Sequence, residues 1–198
     1  MTFYALASPI NIDENDKIHN IWNELDFACE MNQVKFAPIP HFSYMTYKSV
    51  NNPIGLQQTM LDLGNEISPF EIQISGLGIF QGPSPILYLP IVKTKFLFDI
   101  HSKILGSISP YIAEASDFYK ENNWIPHITL AIRDINLDNL SCAVDRCMQF
   151  DLSFRLKIDH LAILYMDDET FGINSRFALK ASKIPLEETD ESLGRNPS

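Results

Sequence analysis

The sequence predicts an α+β protein built from two similar lobes. Short runs rich in β-branched and aromatic residues alternate with segments whose apolar residues recur at helical spacing. The series strand, helix and strand pair occurs twice along the chain. Each half carries one copy of Ile-Pro-His with a hydroxyl two residues after the histidine. The copies are Ile39-Pro40-His41-Phe42-Ser43 and Ile125-Pro126-His127-Ile128-Thr129, with the histidines 86 residues apart. Outside this motif the halves are not visibly similar, so the repeat is one of topology plus a single short match.

Residues 3 to 10 (FYALASPI) are short and apolar and read as a strand. Asn11 or Asp13 is placed to cap a helix carrying Ile18, Ile21, Trp22, Leu25 and Ala28 at helical spacing. The run 41 to 47 (HFSYMTY) is aromatic and β-forming, hence a second strand. After Asn52-Pro53, residues Leu56, Met60, Leu63 and Ile67 mark a second amphipathic helix. Residues 70 to 80 and 86 to 92 read as a strand pair turning at GPSP. Phe96, Ile100, Ile104 and Leu105 give a third helix, which Pro110 either interrupts or follows with another turn. A strand follows at 127 to 135, then a helix at 138 to 149 capped by Asp138. The order ends in a hairpin of 154 to 166 and 171 to 180 around the acidic turn DDET. The reading is a single bilobal domain over 1–182 and an acidic, disordered tail over 183–198, where no core-facing period remains.

The formal net charge is −10, from 15 basic and 25 acidic residues. That balance disfavours a sequence-independent grip on long nucleic acid, which needs Lys and Arg against phosphates. A small anionic ligand held locally fits better. No apolar run is long enough for a membrane span, and no basic stretch precedes the apolar N-terminal residues as in a secretory leader. Cys29, Cys142 and Cys147 are not zinc-spaced and read as free thiols in a reducing, cytoplasmic setting. Trp22 and Trp124 read as packing residues, and His101 and His160 as structural histidines. The expected oligomer is a monomer.

The motif spacing has a chemical meaning. Side chains alternate along a strand, so His127 and Thr129 point to one face, ~6.6 Å apart at ~3.3 Å per residue. Ile128 and Leu130 then point to a core. His41 and Ser43 stand in the same relation. Proline belongs at a strand start and makes the preceding residue extended, which fixes where each histidine points. Two such strands with facing polar sides would converge two imidazoles and two hydroxyls. One imidazole as base and one as acid suffice for in-line attack on a phosphodiester. The hydroxyls can donate to non-bridging oxygens. No metal or other cofactor is implied. Ser and Thr supply 23 of 198 residues, so roughly one His in eight has such a hydroxyl by chance. Two copies, both after Ile-Pro, are far harder to obtain. His19, His101 and His160 lack the pattern.

In HFSY (41 to 44) and HITL (127 to 130) the chain resembles the two-histidine phosphoesterase superfamily, which includes RNA 2',3'-cyclic phosphodiesterases and 2'-5' RNA ligases. The segments SGLGIFQG, ILYLPIV and KIDHLAILYMDDE are similar to the family's surrounding pattern. The resemblance implies a bilobal α+β fold, two pseudo-symmetric lobes of antiparallel sheet with outer helices around a central cleft. It implies His41 and His127 as the acid–base pair and Ser43 and Thr129 as phosphate-binding hydroxyls. The implied substrate is a small nucleotide or short RNA end with a cyclic phosphate or 2'-5' linkage. Many members carry a basic residue five places after the second His; here that place is Ile132, with Arg133 next. Arg133 and Tyr47 each lie six residues after a motif histidine, on the same strand face by simple alternation, and are candidate substrate contacts.

Overall fold

The computed structural model describes residues 2–180, with the side chains of 12–15 excepted. The tail expected from residue 183 onward lies outside the described residues. In chain order the elements are β1 (Phe3–Pro9), α1 (Ile12–Cys29), β2 (His41–Tyr47), β3 (Ser49–Val50), α2 (Pro53–Glu66), β4 (Phe70–Gln73) and β5 (Gly78–Phe80). These are followed by β6 (Ile86–Pro90), α3 (Lys95–Ile108), β7 (Ile112–Ala113), β8 (His127–Ala131), α4 (Leu140–Cys147), β9 (Arg155–Ile158), β10 (His160–Met166) and β11 (Phe171–Ala178).

The first lobe is an antiparallel sheet ordered β11-β10-β1-β2, backed by α2 and α3. The second holds the sheet β5-β6-β8 and the pair β4-β9, bridged by Ile74 and Ile91. Helix α1 leaves the first lobe and packs against both β8 and α4. Each lobe therefore takes helices from a different part of the chain. The small pair β3-β7 closes one side. One apolar core runs through both lobes, with Ile18, Leu25, Phe42, Tyr44, Ile104, Ile128 and Leu130 all out of solvent. No helix among the described residues is long and apolar enough to cross a membrane.

Local chemistry explains the ends of the helices. Asn52 caps α2 by accepting from Gly55 N–H, with Pro53 at the first helical position, where its missing N–H costs nothing. Thr94 caps α3 through Leu97 N–H. Asn11 sits at the cap position of α1, but its amide donates to Asp159 Oδ2 at 3.0 Å instead. Helix α4 begins at Leu140 with Asn139, not Asp138, before it.

Further expectations need correction, beginning with the run 70–80, where β4 pairs with β9 and only β5 pairs with β6. The run 154–166 is two strands: β9 pairs with β4 in the second lobe, and β10 pairs with β1 and β11 in the first, so the chain changes sheets at Asp159. The strand expected over 127–135 ends at Ala131. Cys29 and Cys142 are not free thiols; they form a disulfide joining the end of α1 to α4. Neither spacing nor composition signals that bond, because the two cysteines meet only through the packing of α1 against α4. Cys147 is a free, buried thiol as expected, and burial pushes its pKa up to about 12.

Candidate active site

The two motif strands lie at the edges of their sheets and face one another across the lobe boundary. Their local geometry repeats in detail. Opposite His41 on the neighbouring strand stands Pro9, and opposite His127 stands Pro90. The carbonyl just before each histidine extends the ladder by one bond: Ile10 N–H donates to Pro40 at 2.8 Å and Ile91 N–H to Pro126 at 3.0 Å. The repeat is thus wider than Ile-Pro-His. Pro9-Ile10 and Pro90-Ile91 form a second matched dipeptide, which was legible in the sequence as another Pro-Ile pair.

Each imidazole is held the same way. His41 Nδ1–H donates to the Ile39 carbonyl and His127 Nδ1–H to the Ile125 carbonyl, both at 2.7 Å. A carbonyl only accepts, so Nδ1 carries the proton in both rings, and Nε2 is the nitrogen left to take or give one. Burial lowers both pKa values from the ordinary 6.5, partly offset by these carbonyl bonds. The charge of His127 lowers that of His41 further. Phe171 lies along the His41 ring at 6.0 Å, while Phe80 and Tyr88 flank His127 at 4.9 and 5.1 Å.

A cavity of about 270 Å³ opens between the lobes, and His41, Ser43, His127 and Thr129 all line it. The four residues singled out by the motif therefore meet in one place. Among the described residues, Arg133 is the one Lys or Arg to line the cavity, and no Asp or Glu does, in a chain with 25 of them. Such a lining favours an anion. Among the described residues, too, no group of three or more His, Cys, Asp or Glu converges closely enough to hold a metal ion.

Simple alternation fails just after each hydroxyl. The register of β2 against β1 slips at Tyr44, and that of β8 against β6 slips at Leu130. Each slip is a β-bulge, in which one extra residue turns the following side chains to the opposite face. Thr46 rather than Tyr47 consequently lines the central cavity, and Ile132 takes the equivalent place in the second copy. Tyr47 is buried, stacks on Tyr4 at 5.6 Å and does not line this cavity. The expected shared face of His41 and Tyr47 is therefore corrected. Arg133 reaches the rim by another route, beyond the end of β8, with φ +76° and its guanidinium 5.7 Å from the Phe36 ring.

Two further features escaped the sequence reading. Tyr119, from a 3₁₀ turn at Asp117–Tyr119, lines the cavity beside Ser43 and Thr46. Burial raises its pKa, and hydrogen bonding with those two hydroxyls opposes the rise. The first half has a matching 3₁₀ turn at Gln33–Phe36, packed on β8. Backbone N–H groups of Asn32 and Gln33 hold it by donating to Asp134 Oδ2 at 2.7 and 2.8 Å.

Comparison with known proteins identifies the family and the fold. Residues 18–170 match the family model of the 2'-5' RNA ligase superfamily. The chain belongs to this superfamily. Among solved structures, TT0787 of Thermus thermophilus superposes with a TM-score of 0.56 at 12% identity, covering 91% of this chain and 99% of that one. A protein described as a phosphoesterase gives 0.55 at 10% identity, with 89% and 97% covered. E. coli LigT, complexed with 3'-AMP, gives 0.52 at 11% identity, with 89% and 96% covered. At these identities the likeness is one of fold. No curated protein matches the chain in sequence. The resemblance to two-histidine phosphoesterases and the bilobal antiparallel fold expected from it both stand.

Proposed function

We propose that the protein is a metal-independent phosphodiesterase acting on a cyclic phosphate, such as a 2',3'-cyclic nucleotide or RNA end, or on a 2'-5' phosphodiester. One observation carries the reading. Both motif histidines, each with Nδ1 committed to a backbone carbonyl, share a cavity with both hydroxyls and, among the described residues, with no acidic side chain.

In the proposed reaction, Nε2 of one neutral imidazole takes a proton from water as its oxygen attacks phosphorus. The P–O bond to the leaving ribose oxygen breaks, and the other imidazolium gives that oxygen its proton. Ser43 and Thr129 donate to the non-bridging oxygens, where charge accumulates. Arg133 at the rim supplies a positive charge for the incoming anion. Superfamily members act on phosphodiester linkages, and the reverse, ligation, would use the same groups with a ribose hydroxyl in place of water. Joining two RNA ends calls for a broad basic track, and among the described residues the central cavity is lined by a single Lys or Arg.

The substrate we propose is a small nucleotide or short RNA end bound by a monomer. A cytoplasmic location is likewise a proposal, and the Cys29–Cys142 disulfide counts against it, because such bonds are rare in the reducing cytosol. Isolation of the protein from cells with Cys29–Cys142 oxidised would point to an oxidising compartment instead. A competition assay tests the reaction: one oligonucleotide bearing a 2',3'-cyclic phosphate is offered with a 5'-hydroxyl acceptor. The reading predicts a phosphomonoester product in chelator. Joined product in excess of hydrolysed product would overturn it in favour of ligation.

A further inference from the structure

The chain has two tryptophans, and each donates its indole N–H to the backbone carbonyl of the hydroxyl residue in the motif carried by the other half of the chain. Trp124, three residues before His127, bonds to the carbonyl of Ser43 at 2.9 Å. Trp22, in α1, bonds to the carbonyl of Thr129 at 3.1 Å. Both acceptors lie on edge strands, at the residue just before the bulge. Edge carbonyls without a ladder partner need a donor from elsewhere. The two copies obtain it in the same way from opposite directions.

Trp124 is itself clamped. His101 lies parallel to it at 3.8 Å with an interplanar angle of 3°, and donates Nε2–H to the carbonyl of Tyr44, the bulged residue beside Ser43. The Lys93 ammonium donates to the Trp124 carbonyl at 3.0 Å and to that of Glu121 at 2.9 Å. Trp124 is thus fixed to the first motif through its ring. Its backbone leads through Ile125, whose carbonyl holds His127 Nδ1, straight into the second motif.

We infer that Trp124 is a positioning residue that sets the first motif's hydroxyl against the second motif's imidazole, with Trp22 doing the same for Thr129. The inference rests on the reading of His41 and His127 as an acid–base pair. Neither indole transfers a proton. Each fixes a strand edge, and displacement of a reacting group by about 1 Å costs on the order of 10²-fold in rate. The loss falls on the transition state, because a ground-state phosphate tolerates looser hydroxyls.

The test needs no natural substrate. Affinities for adenosine–vanadate, a five-coordinate mimic of in-line transfer, and for inorganic phosphate are measured by titration. The proteins are the wild type, Trp124→Phe and Trp22→Phe, with melting curves as a check on folding. Replacement of both tryptophans by 3-benzothienylalanine keeps ring volume and removes only the N–H, which covers a failure of either Phe variant to fold. The inference predicts vanadate affinity down about 10- to 100-fold and phosphate affinity within about 3-fold. Equal losses for both ligands, or none for vanadate, would overturn it and leave the proposed reaction standing. A wild type with no preference for vanadate over phosphate would sink the reaction, and the positioning role with it.

Discussion

His127 donates Nδ1–H to the carbonyl of Ile125 across the intervening Pro126, and His41 treats Ile39 identically across Pro40. Ile-Pro-His is therefore a device for setting a tautomer. The proline starts the strand, its predecessor's carbonyl accepts a hydrogen bond from Nδ1–H, and Nε2 is left as the working nitrogen in both copies.

The pH dependence follows from the direction of the two shifts. Both imidazoles titrate below 6.5, chiefly because burial disfavours their charged forms. The base must be neutral, so activity falls as pH drops through its pKa. The acid must be protonated, so activity also falls as pH rises through its own. Both limbs of the kcat/KM profile should lie below pH 6.5, as macroscopic values belonging to the pair. A maximum above about pH 7.5 would contradict this. An anionic substrate favours the imidazolium, so the alkaline limb of kcat should lie at higher pH than that of kcat/KM.

His101 supplies a separate, thermodynamic prediction. It is fully buried, and desolvation lowers its pKa from 6.5 to about 4. Above pH 6.5 the ring is neutral in the folded and unfolded states alike, and stability does not depend on it. Between 6.5 and about 4 only the unfolded chain binds the proton, so stability declines as pH falls, by roughly 3 kcal/mol over the window. His41 and His127 push in the same direction, so the measurement is a difference. Urea unfolding at about pH 7.5 and about pH 4.5 should show a smaller loss in His101→Phe than in the wild type. Equal losses would remove His101 from the account.

The Cys29–Cys142 bond closes a loop across a sequence separation of 113. Chain entropy for a loop of that size gives about 4.8 kcal/mol, and disulfides typically contribute about 2–4 kcal/mol. Cys142→Ser, or the wild type under reductant, should lose that much stability in denaturant titration. Cys147→Ala should be insensitive to reductant in its difference from wild type, since that thiol is buried and outside the disulfide. Non-reducing peptide mapping that found Cys29 and Cys142 unlinked in the native protein would count against the bond itself.

Much of this molecule was legible because its signals are local. Helical spacing placed Ile18, Ile21, Trp22 and Leu25 on the buried side of α1, and the aromatic run placed β2 at residues 41 to 47. The four motif residues were found through a repeat with a stereochemical meaning. What stayed hidden depended on pairing between distant segments. The bulges at Tyr44 and Leu130 exist only relative to β1 and β6, so alternation pointed to Tyr47 when Thr46 faces the cavity. Tyr119 arrives from a 3₁₀ turn with no apolar period of its own. The disulfide and the two indole bonds join segments from opposite halves of the chain, and no spacing along the chain encodes them.

The central claim is that His41 and His127 act together on a phosphodiester without a metal. The most direct measurement is turnover of a panel of 2',3'-cyclic nucleotides and 2'-5'-linked oligoadenylates in EDTA. Products are read by phosphorus NMR for the wild type, His41→Ala and His127→Ala. The account predicts cleavage by the wild type and a loss of at least about 10²-fold in each variant. Full turnover by either variant on a substrate the wild type cleaves would contradict it.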